Sequence, residues 1–423
     1  MIKDLISDLW DTNRLLLGQG ANVFQAYMSD CYPQIRWSGY PSGQRVMTWR
    51  VPEEWIVKEA YIEDENHNRY LDYKDNPLHL VAYSTSIDKW MDWDDLTFHL
   101  YNSPDGVPWK FKYYERDWGF CCSGDEQIKV LSSAICKNKL HIVINTEFKQ
   151  GTMWVGEWQL GNRGKPNLLI ATHYDHPYQA NDGLSGVAVA VEVAERLQRN
   201  PPDWIGGVRI LFLPETIGSI AYFTDHSWDD IVGGIFLDAC GNDNKITLQW
   251  AFSDDWHYMD RLSLNILNSK CFEKYKTARF RENFCNDEIV INSPPMNIPC
   301  IGLSRYPYPQ YHTSADTIDI IQEDKLVEMA DVVEEIARRV VTDYIPIQKY
   351  SGVPFLSGYN LWVDWADDPE LNKNIEKIFM RFNGKYSVSQ IADEIGMNYW
   401  DVRKYVERFR EAGLINIYSI GGD

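Results

Sequence analysis

The sequence predicts an α/β fold: helices layered on a largely parallel sheet, with an inserted β-rich module and a helical C-terminal unit. Three observations lead there. Between about residues 128 and 345, short apolar runs at 140–146, 168–172, 208–213 and 235–237 alternate with amphipathic stretches at 183–198 and 325–341. Unbroken apolar runs of that length suit strands buried on both faces, and strand–helix alternation suits a parallel sheet. From Gln34 to about Gly124 the pattern changes to short Trp- and Tyr-rich segments separated by turn signals. The last 55 or so residues, beyond a linker-like stretch from Pro346 to about Asp368, are helical in pattern and end in an apolar run at 414–420.

Taken in order, residues 1–35 read as amphipathic helix and loop, with Ile2, Leu5, Ile6, Leu9 and Trp10 at helical spacing. Acidic residues interrupt this segment, so it is not a signal peptide, and no apolar run approaches the roughly 18 residues of a membrane span. The expectation is a cytoplasmic protein. Residues 36–124 form the module, with turns at Ser42-Gly43, Asn76-Pro77 and Ser103 to Gly106 and short strands at 45–51, 57–62 and 79–83. Residues 1–35 and 125–350 make the main domain, in which Leu184, Val187, Ala188, Val191, Ala194 and Leu197 give the 183–198 helix one apolar stripe. Residues 351–423 are linker and a winged helix-turn-helix: Ser387 caps a first helix, Gly396 sits in the turn, Val402, Tyr405, Val406 and Phe409 face inward on the second, and 414–420 forms the wing.

Composition narrows the function. The chain has 423 residues and a formal charge of −20. Such an acidic field opposes nonspecific nucleic-acid binding. Within 361–423, 8 basic residues face 11 acidic ones, so the basic footprint of a DNA reader is missing there too. The eight cysteines (Cys31, Cys121, Cys122, Cys136, Cys240, Cys271, Cys285 and Cys300) form no CxxC pair and read as reduced, mostly buried thiols.

The chemistry concentrates at strand ends. The run ending at Thr172 passes into His173-Tyr-Asp175, and nine residues after His173 comes Asp182, followed by Gly183 and a helix. Two further runs end in Pro214-Glu215 and in Asp238, and His312 lies in a polar loop before the last helix of the domain. Open α/β sheets build their sites from such loops at the carboxyl ends of strands. Imidazole and carboxylate are the ligands of an open catalytic zinc site, and Asp175 is placed to accept the proton of the second nitrogen of His173. Singly, each residue has an ordinary explanation as a turn, a cap or a solvated charge. The five donors His173, Asp182, Glu215, Asp238 and His312 at five such boundaries are hard to explain that way together. The other histidines (His67, His79, His99, His141, His176, His226 and His257) lack that context, His176 being the nearest competitor of His173.

The strings His173-Tyr-Asp175, Asn181-Asp182-Gly-Leu-Ser-Gly186, Asp238 and Tyr311-His312-Thr-Ser-Ala-Asp316-Thr resemble the M28 family of zinc aminopeptidases. The whole chain resembles a group of aminopeptidase-like proteins in that clan that carry an inserted β module and a C-terminal winged helix. The resemblance implies a zinc-exopeptidase-like three-layer α/β/α sandwich and one or two zinc ions per chain. It implies that His173 and Asp238 bind one metal, His312 the other, that Asp182 bridges them, that Asp175 orients His173, and that a cis peptide follows Asp182. One departure stands out. The family has two consecutive glutamates, a general base and a ligand, where this chain has Glu215-Thr216. Gly218 suits Glu215 as the base, which leaves one metal short of a carboxylate; shifted by one, Glu215 becomes the ligand and Pro214 falls at the base position.

Around the site, Arg305 reads either as a grip for a substrate carboxylate or as the partner of a nearby acid, with Asp287, Tyr306, Tyr308 and Tyr311 close by in sequence or motif. The expectation is a metal-dependent hydrolase, an aminopeptidase releasing an N-terminal residue from a peptide or small amide. Its catalytic candidates are Glu215 and Asp175. The alternatives are a single-zinc amide hydrolase or cyclase acting on a small metabolite, and a non-enzymatic regulator that senses a ligand and uses the winged helix. No membrane or nucleic-acid partner is expected, and a homo-oligomer is left open.

Overall fold

The computed structural model describes residues 2–137, 139–164, 166–253, 257–269 and 275–420. Its centre is an eight-stranded sheet. Four parallel strands occupy the middle, in the order Gly207–Leu213, Asn167–His173, Ile231–Leu237, Cys300–Ser304. Every residue of the first two is buried, as expected of strands covered on both faces. The edges depart from the parallel expectation. Thr152–Gly161 pairs antiparallel with Gly207–Leu213 and Arg36–Pro41 antiparallel with it in turn, while Thr247–Gln249 runs antiparallel to Cys300–Ser304 and parallel to Lys276–Ala278. The sheet is therefore mixed.

Helices cover both faces. On one side Ile2–Leu9, Leu184–Arg199, Tyr258–Ser269 and Glu323–Thr342 supply the largest apolar core, with Leu184, Val187, Val191, Met329, Val333 and Ile336 packed on Leu168, Ile170, Val208 and Ile235. On the other side Ile217–Asp225 and Glu288–Asn292 pack on Leu169, Ala171, Leu211 and Phe236. This is the expected three-layer sandwich.

The module has its own core and a four-stranded antiparallel sheet, Arg69–Tyr70, Glu54–Glu63, Leu140–Lys149, Ile87–Met91. Arg36–Pro41 belongs to the main sheet, whereas Leu140–Lys149, beyond the expected boundary at 124, is a central strand of the module. The apolar start of that strand resembles a strand buried on both faces, but its second half alternates half-buried and exposed positions, the mark of a one-sided antiparallel sheet. Residues 45–51 form a two-residue hairpin pairing. The strand expected at 79–83 does not form: Pro77–His79 is a 3₁₀ turn, Tyr83 takes φ 67°, and only isolated bridges from Leu80 and Ala82 remain.

At the C-terminus Pro369–Phe379, Val388–Ile395 and Tyr399–Glu411 pack around Ile378, Ile391, Val402, Tyr405, Val406 and Phe409. Ser387 caps the second helix reciprocally with Gln390, and Gly396 ends it in the left-handed region at φ 73°. Ile415–Ser419 pairs antiparallel with Tyr344–Gln348, so the unit reaches back before residue 351. Among the described cysteines, Cys121, Cys122, Cys240 and Cys300 are buried free thiols and Cys31 and Cys285 are exposed; Cys271 and the Cys136 side chain lie outside the described residues. No described helix is long and apolar enough to cross a membrane.

Candidate metal centre

Adjacent central strands deliver the site. His173 ends one and Asp238 follows its neighbour, both at the carboxyl edge of the sheet. Asp182 lies in the loop that returns to the helix Leu184–Arg199. The start of that helix requires glycine: Gly183 has φ +83°, and a Cβ there would sit 2.9 Å from the His173 carbonyl and 3.1 Å from its ring. The cis peptide expected after Asp182 is absent. The left-handed conformation of Gly183 makes the turn instead, aiming its N–H at Asp238 Oδ1 (3.1 Å).

The sheet and its loops bring His173, Asp182, Asp238 and His312 together. His173 Nε2 lies 3.3 Å from Asp182 Oδ1 and 3.4 Å from Asp238 Oδ1, and His312 Nε2 lies 3.0 Å from Asp182 Oδ2. Asp182 thus shows one oxygen to each imidazole. His173 Nε2, Asp182 Oδ2 and His312 Nε2 are buried and make no hydrogen bond despite these distances, because the groups are not aligned on one another. Two ligands at zinc bonding distances of about 2.0–2.1 Å in a tetrahedron are separated by about 3.3 Å. The spacing and the orphaned atoms both fit donors that share a cation.

Asp175 lies 3.4 Å from His173 Nδ1, the geometry expected of an orienting carboxylate, and its Oδ1 also accepts the Glu215 N–H at 2.7 Å. His176, left aside in the sequence, joins the centre. Its Nδ1 is 3.2 Å from His173 Nδ1 and 3.7 Å from Asp182 Oδ1, its Nε2 is 3.7 Å from Glu215 Oε2, and its ring stacks on His312 with centroids 5.0 Å apart. His173, His176 and Asp182 form a buried group able to hold a metal ion. A histidine three residues after a histidine at a strand end was the one available signal.

The electrostatics run the same way. Burial works against a charged His173, yet Asp238, Asp175 and Asp182 outweigh it and push its pKa well up. Burial likewise opposes an ionised Asp182, and His176, His173 and His312 outweigh it, holding that carboxyl well below its usual range. For His176 burial, with His173 and His312 adding to it, outweighs Asp182 and Asp175 and pushes it down to about 3, leaving a neutral imidazole. Glu215 is pushed well up by burial; His173 opposes this, and Asp175, Asp287 and Asp182 add to it. The surplus of carboxyl groups calls for positive charge at this point.

Residues outside the expected set hold the loops. Asp316 accepts the N–H groups of Ala180, Asn181 and Asp182 at 3.2, 2.7 and 3.1 Å and the Tyr308 hydroxyl at 2.7 Å. Asp287 accepts the Thr216 N–H at 2.9 Å and the Ser219 hydroxyl. Arg14, fully buried, donates to the carbonyls of Tyr174, His176 and Gln179 at 2.8, 2.7 and 2.8 Å. Thr216, Ala239 and His312 have φ values of 63°, 48° and 55°, a clustering of left-handed non-glycine residues typical of functional sites. Arg305 does not grip a ligand: it is buried against Glu328 and the Cys240 carbonyl. Tyr311 stacks on His312, centroids 3.9 Å apart.

Comparison with known proteins agrees with this architecture. A Clostridium acetobutylicum protein, provisionally named as a polysaccharide biosynthesis protein with aminopeptidase-like domain, is 29% identical over 335 residues, 77% of this chain and 74% of the relative. A crystal structure from the same organism, provisionally named a peptidase, matches with TM-score 0.81 and 25% identity over 99% of this chain and 96% of that one. The zinc aminopeptidase of Bacillus subtilis shares the fold at 13% identity and TM-score 0.58, covering 80% of this chain and 94% of that one. The fold is thus aminopeptidase-like. The profile of the family described as a domain of unknown function, DUF4910, matches residues 3–343, and the chain belongs to that family.

Proposed function

We propose that the protein is a zinc-dependent hydrolase of the aminopeptidase kind, cleaving an amide next to an N-terminal residue. The observation that carries this reading is the set of buried atoms without a hydrogen-bond partner on His173, Asp182 and His312, in which one Asp182 oxygen faces each imidazole at ligand spacing. His173 and Asp238 would hold one zinc, His312 a second, and Asp182 would face both. His176 would serve where Thr216 offers no carboxylate. Zinc at this point supplies acidification of water and polarisation of a substrate carbonyl.

The protein's own groups do the rest. Asp175 keeps the far nitrogen of His173 occupied, so that Nε2 faces the cleft. Glu215, at the cleft wall, takes the proton of the attacking water and passes it to the leaving amine. Asp287 and Asp316 fix the loops on either side. A cavity of about 310 Å³ adjoins the centre at Asp175, His176 and Glu215. A larger cavity of about 620 Å³ around Arg163, Arg209 and His226 lies at the amino ends of the strands, where Arg209 pairs with Asp230; open α/β sheets bind ligands at the other end. The helices 388–395 and 399–411 with the 415–419 strand suit a winged helix used for packing or protein contact, given its acidic balance.

Glu215→Gln tests the reading: hydrolysis of amino-acyl amides by the zinc-loaded protein falls by about 10²–10⁴-fold while bound zinc is retained. Full turnover by that variant removes Glu215 from the chemistry. The Glu215-Thr216 departure favours one alternative, a single-zinc amide hydrolase, and one tightly held ion per chain in place of two selects it.

A further inference from the structure

We propose that the arm of the module at residues 107–115, with Trp49, forms the specificity subsite of the metal centre and takes a bulky apolar or aromatic side chain beside the scissile amide. This deepens the hydrolase reading and rests on it.

The arm is stitched to the metal loop. Trp109 N–H donates to the His312 carbonyl at 2.7 Å, Ser314 N–H to the Val107 carbonyl at 2.8 Å, and Val107 N–H to the Ser314 hydroxyl at 3.0 Å. The Trp109 ring meets His176 edge-on at 6.2 Å. Beyond Trp109 the chain turns along the cavity, so that Phe111 and Tyr114 share its lining with Asp175, His176 and Glu215. The cavity thus joins the rings of the module to the Asp175, His176 and Glu215 side of the metal centre.

The lining decides the chemistry. Trp49, Phe111 and Tyr114 are 39%, 46% and 55% exposed, three large apolar side chains left open in one cavity. Two polar tips there are already used: the Tyr114 hydroxyl donates to the Arg50 carbonyl at 2.9 Å, and Lys112 Nζ donates to Asp117 at 2.7 Å and to Glu115 at 3.2 Å. The three rings offer a ligand a broad apolar surface, which suits apolar and aromatic groups. The volume of about 310 Å³ admits one such side chain.

The test is calorimetric binding of phenylalanine hydroxamate and alanine hydroxamate to the full-length, zinc-loaded protein, in which the hydroxamate engages the metal and the side chain reads the subsite. The expected result is at least tenfold tighter binding of the phenylalanine compound. In Phe111→Ala and, independently, Trp49→Ala, that ratio falls at least threefold. A ratio near one in the wild type, or an unchanged ratio in both variants, overturns the subsite. Turnover of phenylalanine and alanine naphthylamides is measured alongside. Discrimination in binding without turnover sinks the hydrolase and keeps the subsite; turnover without discrimination does the reverse; the absence of both binding and turnover overturns both.

Discussion

Arg14→Lys probes how the N-terminal segment supports the metal loop. Arg14 is fully buried, and burial lowers its pKa to about 9, with Asp175, Asp316 and Asp182 opposing. Its planar fork donates to three carbonyls of the 174–179 loop at 2.7–2.8 Å and to the Leu9 carbonyl of the first helix. An ammonium on a lysine stem cannot span all four, and two or more carbonyls lose their donor. Each unsatisfied buried group costs about 1–3 kcal/mol, so the variant loses about 2–6 kcal/mol, a large part of the roughly 5–15 kcal/mol that holds a domain together. Urea unfolding of the metal-free protein reads that loss, and chelator competition reads zinc affinity. Because the loop carries Asp175 and His176, zinc binding weakens at least tenfold. A stability change within about 0.5 kcal/mol together with unchanged zinc affinity refutes the reasoning.

Two other substitutions test separate links. Gly183→Ala places a Cβ 2.9 Å from the His173 carbonyl at φ +83°, so it costs about 1–3 kcal/mol in thermal or urea unfolding and lowers zinc affinity; a variant that binds zinc normally removes the close-approach argument. Asp343, buried and accepting from Tyr258, Tyr344 and Ser389, is pushed up to about 6 by burial. Between its ordinary 3.8 and about 6 the folded state holds a proton that the unfolded state has released, so its contribution to stability falls as pH rises through that window. Asp343→Asn lacks this titration and gains about 3 kcal/mol on the wild type between pH 4 and 7; a difference independent of pH contradicts the assignment.

The legible part of the molecule was the part where one physical signal dominates. The apolar runs before His173, Glu215 and Asp238 are buried on both faces and sit side by side in the sheet, which is why their ends converge. The first helix, the Leu184–Arg199 helix and the Ser387 cap follow equally local rules. The edge strand Arg36–Pro41 was not legible, because its Arg-Trp-Ser-Gly-Tyr-Pro sequence carries glycine and proline and no sustained alternation, and it is a strand only through pairing with Thr152–Gly161. Leu140–Lys149 carries an apolar start that two different sheets could use. At the site, Arg14 and His176 escaped because their roles arise from contacts across the fold, Arg14 lying 160 residues before the Tyr174 carbonyl it holds.

The central claim is that His173, Asp182, Asp238 and His312 are ligands of bound zinc. An anomalous-scattering map from zinc-soaked crystals, collected on both sides of the zinc absorption edge, tests it directly. The account predicts a peak within about 2.0–2.2 Å of His173 Nε2 and carboxylate oxygens of Asp182 and Asp238, and any second peak between Asp182 and His312. Crystals that take up zinc only elsewhere, with these four side chains unengaged, contradict it.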